Sequence, residues 1–402
     1  MRASINAMAC DTRGKLGRVA PMQDQASLPP VRTASARPAD QAARQWRASL
    51  PEKLRERSLV RGGVLLSLAA VGYVAGMAGA VVLPTYFGRT VALALAITMI
   101  GALFIIGHDA AHNSFTPYGW LNRALGRLAL LPAWHPYTAW VFSHNTLHHG
   151  GTNLRGKHPD FVPLTKEEYD RLPRWRQLVE KLYRSPVGAG PSYLFGLYFA
   201  YILFPTRERR PPRGRQFEWD RLLVLGFFGL QVLGMYLLAR GTTGLFLPPL
   251  AYAFFDVILA WVIWIQFMGF ISFVQHTHPR LAWYDDPKEW SFYHVQLKSS
   301  THVVFPFPVE RLLNNIMDHA AHHIDPAIPL YHLPESQRLL EQSCGEHAVV
   351  IQWSPSQYLE LCRVCKLYDF RRHCWTDFEG NVTSETKLPT LPFKNGQLPQ
   401  AA

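Results

Sequence analysis

The chain has 402 residues, 48% of them hydrophobic and 13% aromatic, with a formal net charge of +12. That length allows two or three soluble domains, but the apolar residues are gathered into long uncharged runs that a soluble fold does not need. The basic residues flank those runs and form no single patch, which argues against a nucleic-acid-binding protein.

Residues 1–57 are polar and Ala/Arg/Pro-rich with little apolar period, the composition of a disordered segment. They hold no apolar run like that of a signal peptide. Their Arg/Ser bias and scarcity of acids leave a transit peptide as the other reading. "GGVLLSLAAVGYVAGMAGAVVLP" (62–84) carries no charge. As a helix it reaches about 34 Å, enough to cross a bilayer. Similar runs follow at 91–107, 222–239 and 247–274, the last with one acidic residue, Asp256, within expected spans of about 88–107, 221–239 and 247–274. The expected architecture is all-α and integral to the membrane: a domain over 58–380 with four transmembrane helices and a helical cap formed by 108–220 and 275–380. Residues 381–402 read as a flexible tail, and no internal repeat is visible.

Lys53, Arg55, Arg57 and Arg61 precede the first run. The long connection between the second and third carries Arg174, Arg176, Lys181, Arg184, Arg207, Arg209, Arg210, Arg213 and Arg215, whereas the short links hold little beyond Arg89 and Arg240. The positive-inside rule therefore puts both termini and the cap in the cytoplasm. All five cysteines, Cys10, Cys344, Cys362, Cys365 and Cys374, fall on that side, where disulfides are rare. The Cys362-x-x-Cys365 pair with His373 and Cys374 has irregular spacing for a zinc site. It sits in "LELCRVCKLYDFRRHCW", which reads as an amphipathic helix running into a strand, with packed free cysteines.

The chemistry is concentrated in three boxes. "HDAAH" (His108, His112) follows the second run. "HNTLHH" (His144, His148, His149) lies in the long connection, and "HAAHH" (His319, His322, His323) follows the fourth run. These hold eight of the 17 histidines. On helices, His108 and His112 share a face, as do His144 and His148, with His149 about 100° round; His319 pairs with His322 at i+3, with His323 at i+4. With the N-terminus inside, spans two and four exit on one face, so all three boxes meet there. Eight imidazoles exceed the roughly four ligands of one zinc and suffice for two ions with open positions. A His-only shell at a membrane surface, without the Glu-x-x-His of soluble bundles, points to an integral-membrane di-iron oxidant. Asp109, Asp318 and Asp325 flank the boxes, either orienting the imidazoles or capping helix ends.

Together with "FVQHTHP" after the fourth run, the boxes resemble the membrane fatty acid desaturase family over about residues 60–375. "NNIMDHAAHHIDPAIPLYHL" and "SFVQHTHPRLAWYDDPKEW" are most similar to its acyl-lipid Δ12/ω6 branch. The resemblance implies two iron ions held by the box histidines, and one further histidine near the end of the fourth span. By position that is His276, with His278 as the alternative. It also implies O2 as co-substrate and a fatty acyl, lipid-linked substrate; a bacterial inner membrane is the expected location. The second box here is H-x-x-x-H-H, where the plant enzymes usually show H-x-x-H-H.

Neither a His-Pro-Gly-Gly haem motif nor a Gly-x-Gly-x-x-Gly loop is present. Electrons are therefore expected from a separate ferredoxin or cytochrome b5. No catalytic residue beyond the metal ligands is singled out. Trp261, Trp264 and Phe267 are candidates for lining an acyl tunnel or for packing against lipid. His135, His158, His294, His302, His332, His347 and His373 read as surface or packing residues. The rival enzymes are a related di-iron hydroxylase and a carotenoid ketolase. A membrane metal transporter needs ionisable residues within its spans, and here Asp256 stands alone.

Overall fold

The computed structural model describes residues 44–48, 50–307, 309–344 and 348–386. Four helices are long and apolar enough to cross a membrane: α1 (Leu59–Val82), α2 (Tyr86–Ala111), α4 (Gly214–Arg240) and α5 (Pro249–His276). Between α2 and α4 lies α3 (Gly119–Leu130). The chain is a multi-pass, predominantly helical membrane protein.

Local chemistry sets the helix ends. Ser58 caps α1 by accepting from the Arg61 amide, and Thr85 caps α2 by accepting from Gly88. Pro249 occupies the first turn of α5, where its missing N–H costs nothing. Two helices outrun their apolar stretches. α2 continues to Ala111, so His108 rides its last turn. α4 begins at Gly214, because its polar first turns find partners: Asp220 accepts from Arg127 at 2.7 Å and from the Thr138 amide at 2.8 Å.

α2 and α5 are the inner pair, with 56% and 61% of their apolar windows buried, against 33% and 22% for α1 and α4. α1 turns Val60, Val64, Leu68 and Val71 outward, as a lipid-facing helix does. Its other face packs on α2 through small residues. A Cβ on Gly76 would stand 2.6 Å from the Ala96 nitrogen, so only glycine permits this approach. A shorter apolar helix, Ala189–Leu203, packs on α5 equally closely: a Cβ on Gly269 would meet the Ala189 carbonyl oxygen at 2.4 Å.

The cap also contains strand beyond the one read in "LELCRVCKLYDFRRHCW". β1 (Thr301–Val304) pairs in parallel with β2 (Val349–Gln352), Thr301 opposite Val349. After the helix α6 (His319–Ile324) and α7 (Leu333–Cys344) comes α8 (Pro355–Val364). It runs into the antiparallel ribbon of β3 (Leu367–Asp369) and β4 (Cys374–Thr376), the helix-then-strand order read from the sequence. Cys362, Cys365 and Cys374 are free and buried there, and His373 engages the Trp283 carbonyl and Glu289 instead of the thiols.

Most of the segment expected to be disordered, and residues 387–402 of the tail, lie outside the described residues. Residues 44–48 and 50–57 do not behave as loose chain. Trp46, Leu50 and Leu54 are buried in the main core, and Arg47 and Arg55 reach Asp325 at 3.0 and 2.8 Å. The packed body therefore begins well before residue 58, because these three apolar side chains have a core to enter.

Candidate metal centre

α2 and α5 end on the same side, delivering His108 and His276 to one place. The nine sequence-selected histidines converge there in two nests. His108, His112, His144, His149 and His322 form the first, and His148, His276, His319 and His323 the second; within each, the ligand atoms lie within 4.8 Å of one another. In the first, His149 Nε2 is 3.1 Å from both His144 Nε2 and His322 Nε2. In the second, His276 Nε2 is 2.8 Å from His319 Nε2, and His323 Nε2 is 3.0 Å from His319 Nε2 and 3.2 Å from His148 Nε2. His278 joins neither nest; its Nδ1 accepts from the Arg280 amide.

Two boxes divide between the nests, which the helical reading did not anticipate. Phe142–His148 is a π-helical turn. Its wider winding brings His149, five residues on, beside His144 and leaves His148 facing the other nest. In α6, His319 and His323 share the second nest at i+4, while His322 turns to the first. The i, i+3 pairing expected for His319 and His322 is therefore replaced by i, i+4.

Ring nitrogens about 3 Å apart are what metal bonds of about 2.0–2.1 Å produce around one ion. Without a cation, several such lone pairs face one another. Nε2 of His108 and of His112 are buried with no hydrogen-bond partner. Burial first, and neighbouring imidazoles second, hold His144, His148, His149, His322 and His323 well below the usual histidine range. They are therefore neutral near pH 7, the form that ligates. Imidazole sets of this kind suit zinc, copper, iron or nickel.

Surrounding groups fix the rings. His276 Nδ1 donates to the Ser299 carbonyl at 2.8 Å. His323 Nδ1 lies 2.6 Å from Gln296 Oε1, while Gln296 Nε2 donates to the His149 carbonyl at 2.7 Å. Of the flanking carboxylates, Asp109 stands beside His108 and accepts from the Leu330 amide. Asp318 faces His302, and Asp325 faces the two arginines. Those two anchor the ends of α6 and touch no box imidazole through these contacts.

His158 departs from the sequence reading. Far from being a surface or packing residue, it is 4% exposed, and its Nε2 lies 3.2 Å from His148 Nδ1 and 2.8 Å from Asp160 Oδ1. Burial pushes the Asp160 carboxyl up, but hydrogen bonds from His158 and Ser272 outweigh it and hold the group below its ordinary value. Neither Asp160 nor Gln296 carried a sequence signal. His135 packs as expected, between Tyr193 and the Ala133 carbonyl. The side chain of His294, and all of His347, lie outside the described residues.

A cleft of about 510 Å³, counted out to its mouth, opens beside both nests. Ile105, Trp140, Tyr193, Leu197, Met268 and Ile271 give it apolar walls, and His108, His144, His148, His276 and His319 border it. Trp261, Trp264 and Phe267 are not among its lining residues. Trp261 stacks on Trp134, and Trp264 packs on Phe104, so the next turn of α5 supplies the wall instead.

The sequence matches the fatty acid desaturase family over residues 84–355. The chain belongs to the fatty acid desaturase family. It is similar to the sn-1 oleoyl-lipid 12-desaturase of Picosynechococcus sp., 29% identical over 76% of this chain and 83% of that one. It is 26% identical to the chloroplastic omega-6 fatty acid desaturase of Spinacia oleracea, over 88% and 76% of the two chains. An sn-1 acyl-lipid omega-3 desaturase (ferredoxin) of Nostoc sp. is 30% identical over 62% and 66%. These relatives fall in the acyl-lipid branch that the third box resembles, and they make this desaturase an oxidoreductase.

Proposed function

We propose that this desaturase inserts a double bond into a lipid-linked acyl chain, using two iron ions and O2, with the nine nest histidines as ligands. The observation that carries the reading is the pair of buried imidazole nests bordering an apolar-walled cleft. An unactivated methylene offers no acidic proton, and no side chain is a strong enough oxidant to remove its hydrogens. Bound iron with O2 supplies that oxidant. The balance is two hydrogens from adjacent CH2 groups, two external electrons and two protons, with O2 leaving as two waters.

The chain's own residues bind and orient. Trp140, Leu197, Met268 and Ile271 form the apolar wall along which an acyl chain lies, as pockets for apolar ligands are built. The Tyr193 hydroxyl pairs with His135 Nε2 at 3.1 Å, which leaves the buried Trp140 Nε1 as a donor of this wall without a hydrogen-bond partner. The named relatives point to an oleoyl-type substrate and a 12 or ω6 position. The ferredoxin in one relative's name supports a separate iron–sulfur donor, with cytochrome b5 as the other candidate. The Arg/Lys bias supports a cytoplasmic cap, and a bacterial inner membrane is the location we propose.

Metal analysis of the purified chain tests this. It should hold about two irons, as two imidazole nests imply; a chain holding zinc alone, or no metal, contradicts the reading.

A further inference from the structure

Asn153 sits in the left-handed region at φ 52°, a conformation asparagine tolerates. That turn aims its backbone N–H at His158 Nδ1, 2.7 Å away. An accepting Nδ1 carries no proton, so the single proton of neutral His158 is on Nε2. Asp160 Oδ1 accepts that proton at 2.8 Å; His148, whose Nε2 lone pair faces the nest, carries its own proton on Nδ1, so its ring packs edge-on against the fixed His158 ring, centroids 4.8 Å apart, without a hydrogen bond to it. The other Asp160 oxygen accepts from the Ser272 hydroxyl. Ser272 precedes His276 by one turn of α5 and faces the same way. One carboxylate therefore ties the loop behind the second box to the helix that carries His276.

His148, His158 and Asp160 also place ligand atoms within 4.8 Å of one another. They do not make a third metal site, because a protonated Nε2 is a donor and not a ligand. The charge balance points elsewhere. Asp160 is 7% exposed, and among the described residues the one basic side chain within ion-pair distance is His158, which the Asn153 contact leaves uncharged. A buried carboxylate needs a counter-charge, and a cation in the second nest, beside His148 and His276, supplies one.

We infer that Asp160, through His158 and Ser272, is the positioning residue of the second nest, orienting His148 and His276 and balancing the charge of the cation held there. This rests on the two-metal reading above. Carboxylates behind ligating histidines typically change metal affinity about 10- to 100-fold.

The test uses the full-length detergent-purified chain, iron as the probe, and a chelator to follow release. Wild type should hold two irons. Asp160→Asn keeps the volume but presents an N–H2 to one of two donors. It should retain the first-nest iron and release the other about 10- to 100-fold faster, with the melting temperature held. Ser272→Ala should bind two irons and release one at an intermediate rate. Wild-type stoichiometry and release in Asp160→Asn overturn the assignment while leaving two-metal binding intact. So does loss of both irons together with a lower melting temperature. A wild-type chain with fewer than two irons overturns the underlying reading and this one with it.

Discussion

His144 Nε2 lies 3.1 Å from His149 Nε2, five residues along the chain, while His148, only four along, turns its Nε2 to His323 at 3.2 Å. The π-helical turn over Phe142–His148 produces this exchange. In α6 the same division is made without it: the first and last of H-x-x-H-H share a nest, and the fourth position serves the other. The turn thus absorbs the additional residue of H-x-x-x-H-H and leaves each imidazole where the shorter box would put it.

Deleting exposed Thr146 should therefore convert the turn to α-helix and keep all three imidazoles in place. We predict that the deletion retains iron and measurable desaturation. Inserting an alanine after Thr146 should lose both. A deletion variant as inactive as His149→Ala would show that the wider turn is itself required.

His276 and His278 separate a nest position from a neighbour. His276→Ala should cost at least about 10- to 100-fold in metal affinity, since it removes a nest imidazole outright where even an outer support is worth that much. His278→Ala, outside both nests, should leave iron content and products near wild type. Equal retention of iron by the two variants would remove His276 from the site.

Much of this centre was legible in the sequence, for reasons that differ by residue. The spans and boxes needed only local composition: uncharged runs and a high density of histidine. The meeting of His108 with box three followed from both being delivered by helices that exit on one face. His276 was reached through family resemblance, because a single histidine before "THP" has no pattern of its own. The π-turn has no propensity signal that tells it from α-helix. Asp160 was hidden because its meaning lies in Ser272, 112 positions away, and in the direction of one Asn153 amide.

The N-terminal strap should stabilise the third box. Asp325 follows α6, is fully buried, and is met by Arg47 and Arg55. Replacing both arginines by alanine leaves that carboxylate with a backbone amide from Ala327. Losing both partners of a buried charge costs up to about 3–5 kcal/mol, less here because both arginines are partly exposed. Melting temperature and iron retention should fall together. Truncation through residue 57 should lower both further than the double mutant does, because it also removes the buried Trp46, Leu50 and Leu54. Unchanged melting in the double mutant would show that the Arg47 and Arg55 contacts to Asp325 carry no stability.

His302 gives the cap a pH dependence. Burial pushes its imidazole down, but the 2.6 Å hydrogen bond to Glu341 and the Asp318 charge outweigh this and hold it above its ordinary value. A raised histidine stabilises fully below its unfolded value, about 6.5, and loses that contribution as pH rises through the folded value. Burial also raises Glu341, yet His302 and Gln337 bring it below its ordinary value, so its contribution is lost only in acid. Thermal stability should therefore decline as pH rises above about 6.5, and Glu341→Gln should flatten that decline. An identical pH profile in the variant would exclude this pair as its source.

The most direct test of the account is the acyl composition of membrane lipids from a host expressing the chain with a suitable electron donor, read by mass spectrometry beside His148→Ala and His322→Ala. One variant removes an imidazole from each nest. Acyl chains lighter by two hydrogens are expected with the wild-type chain and none with either variant. Hydroxylated chains, unaltered lipids, or full desaturation by either variant would contradict it.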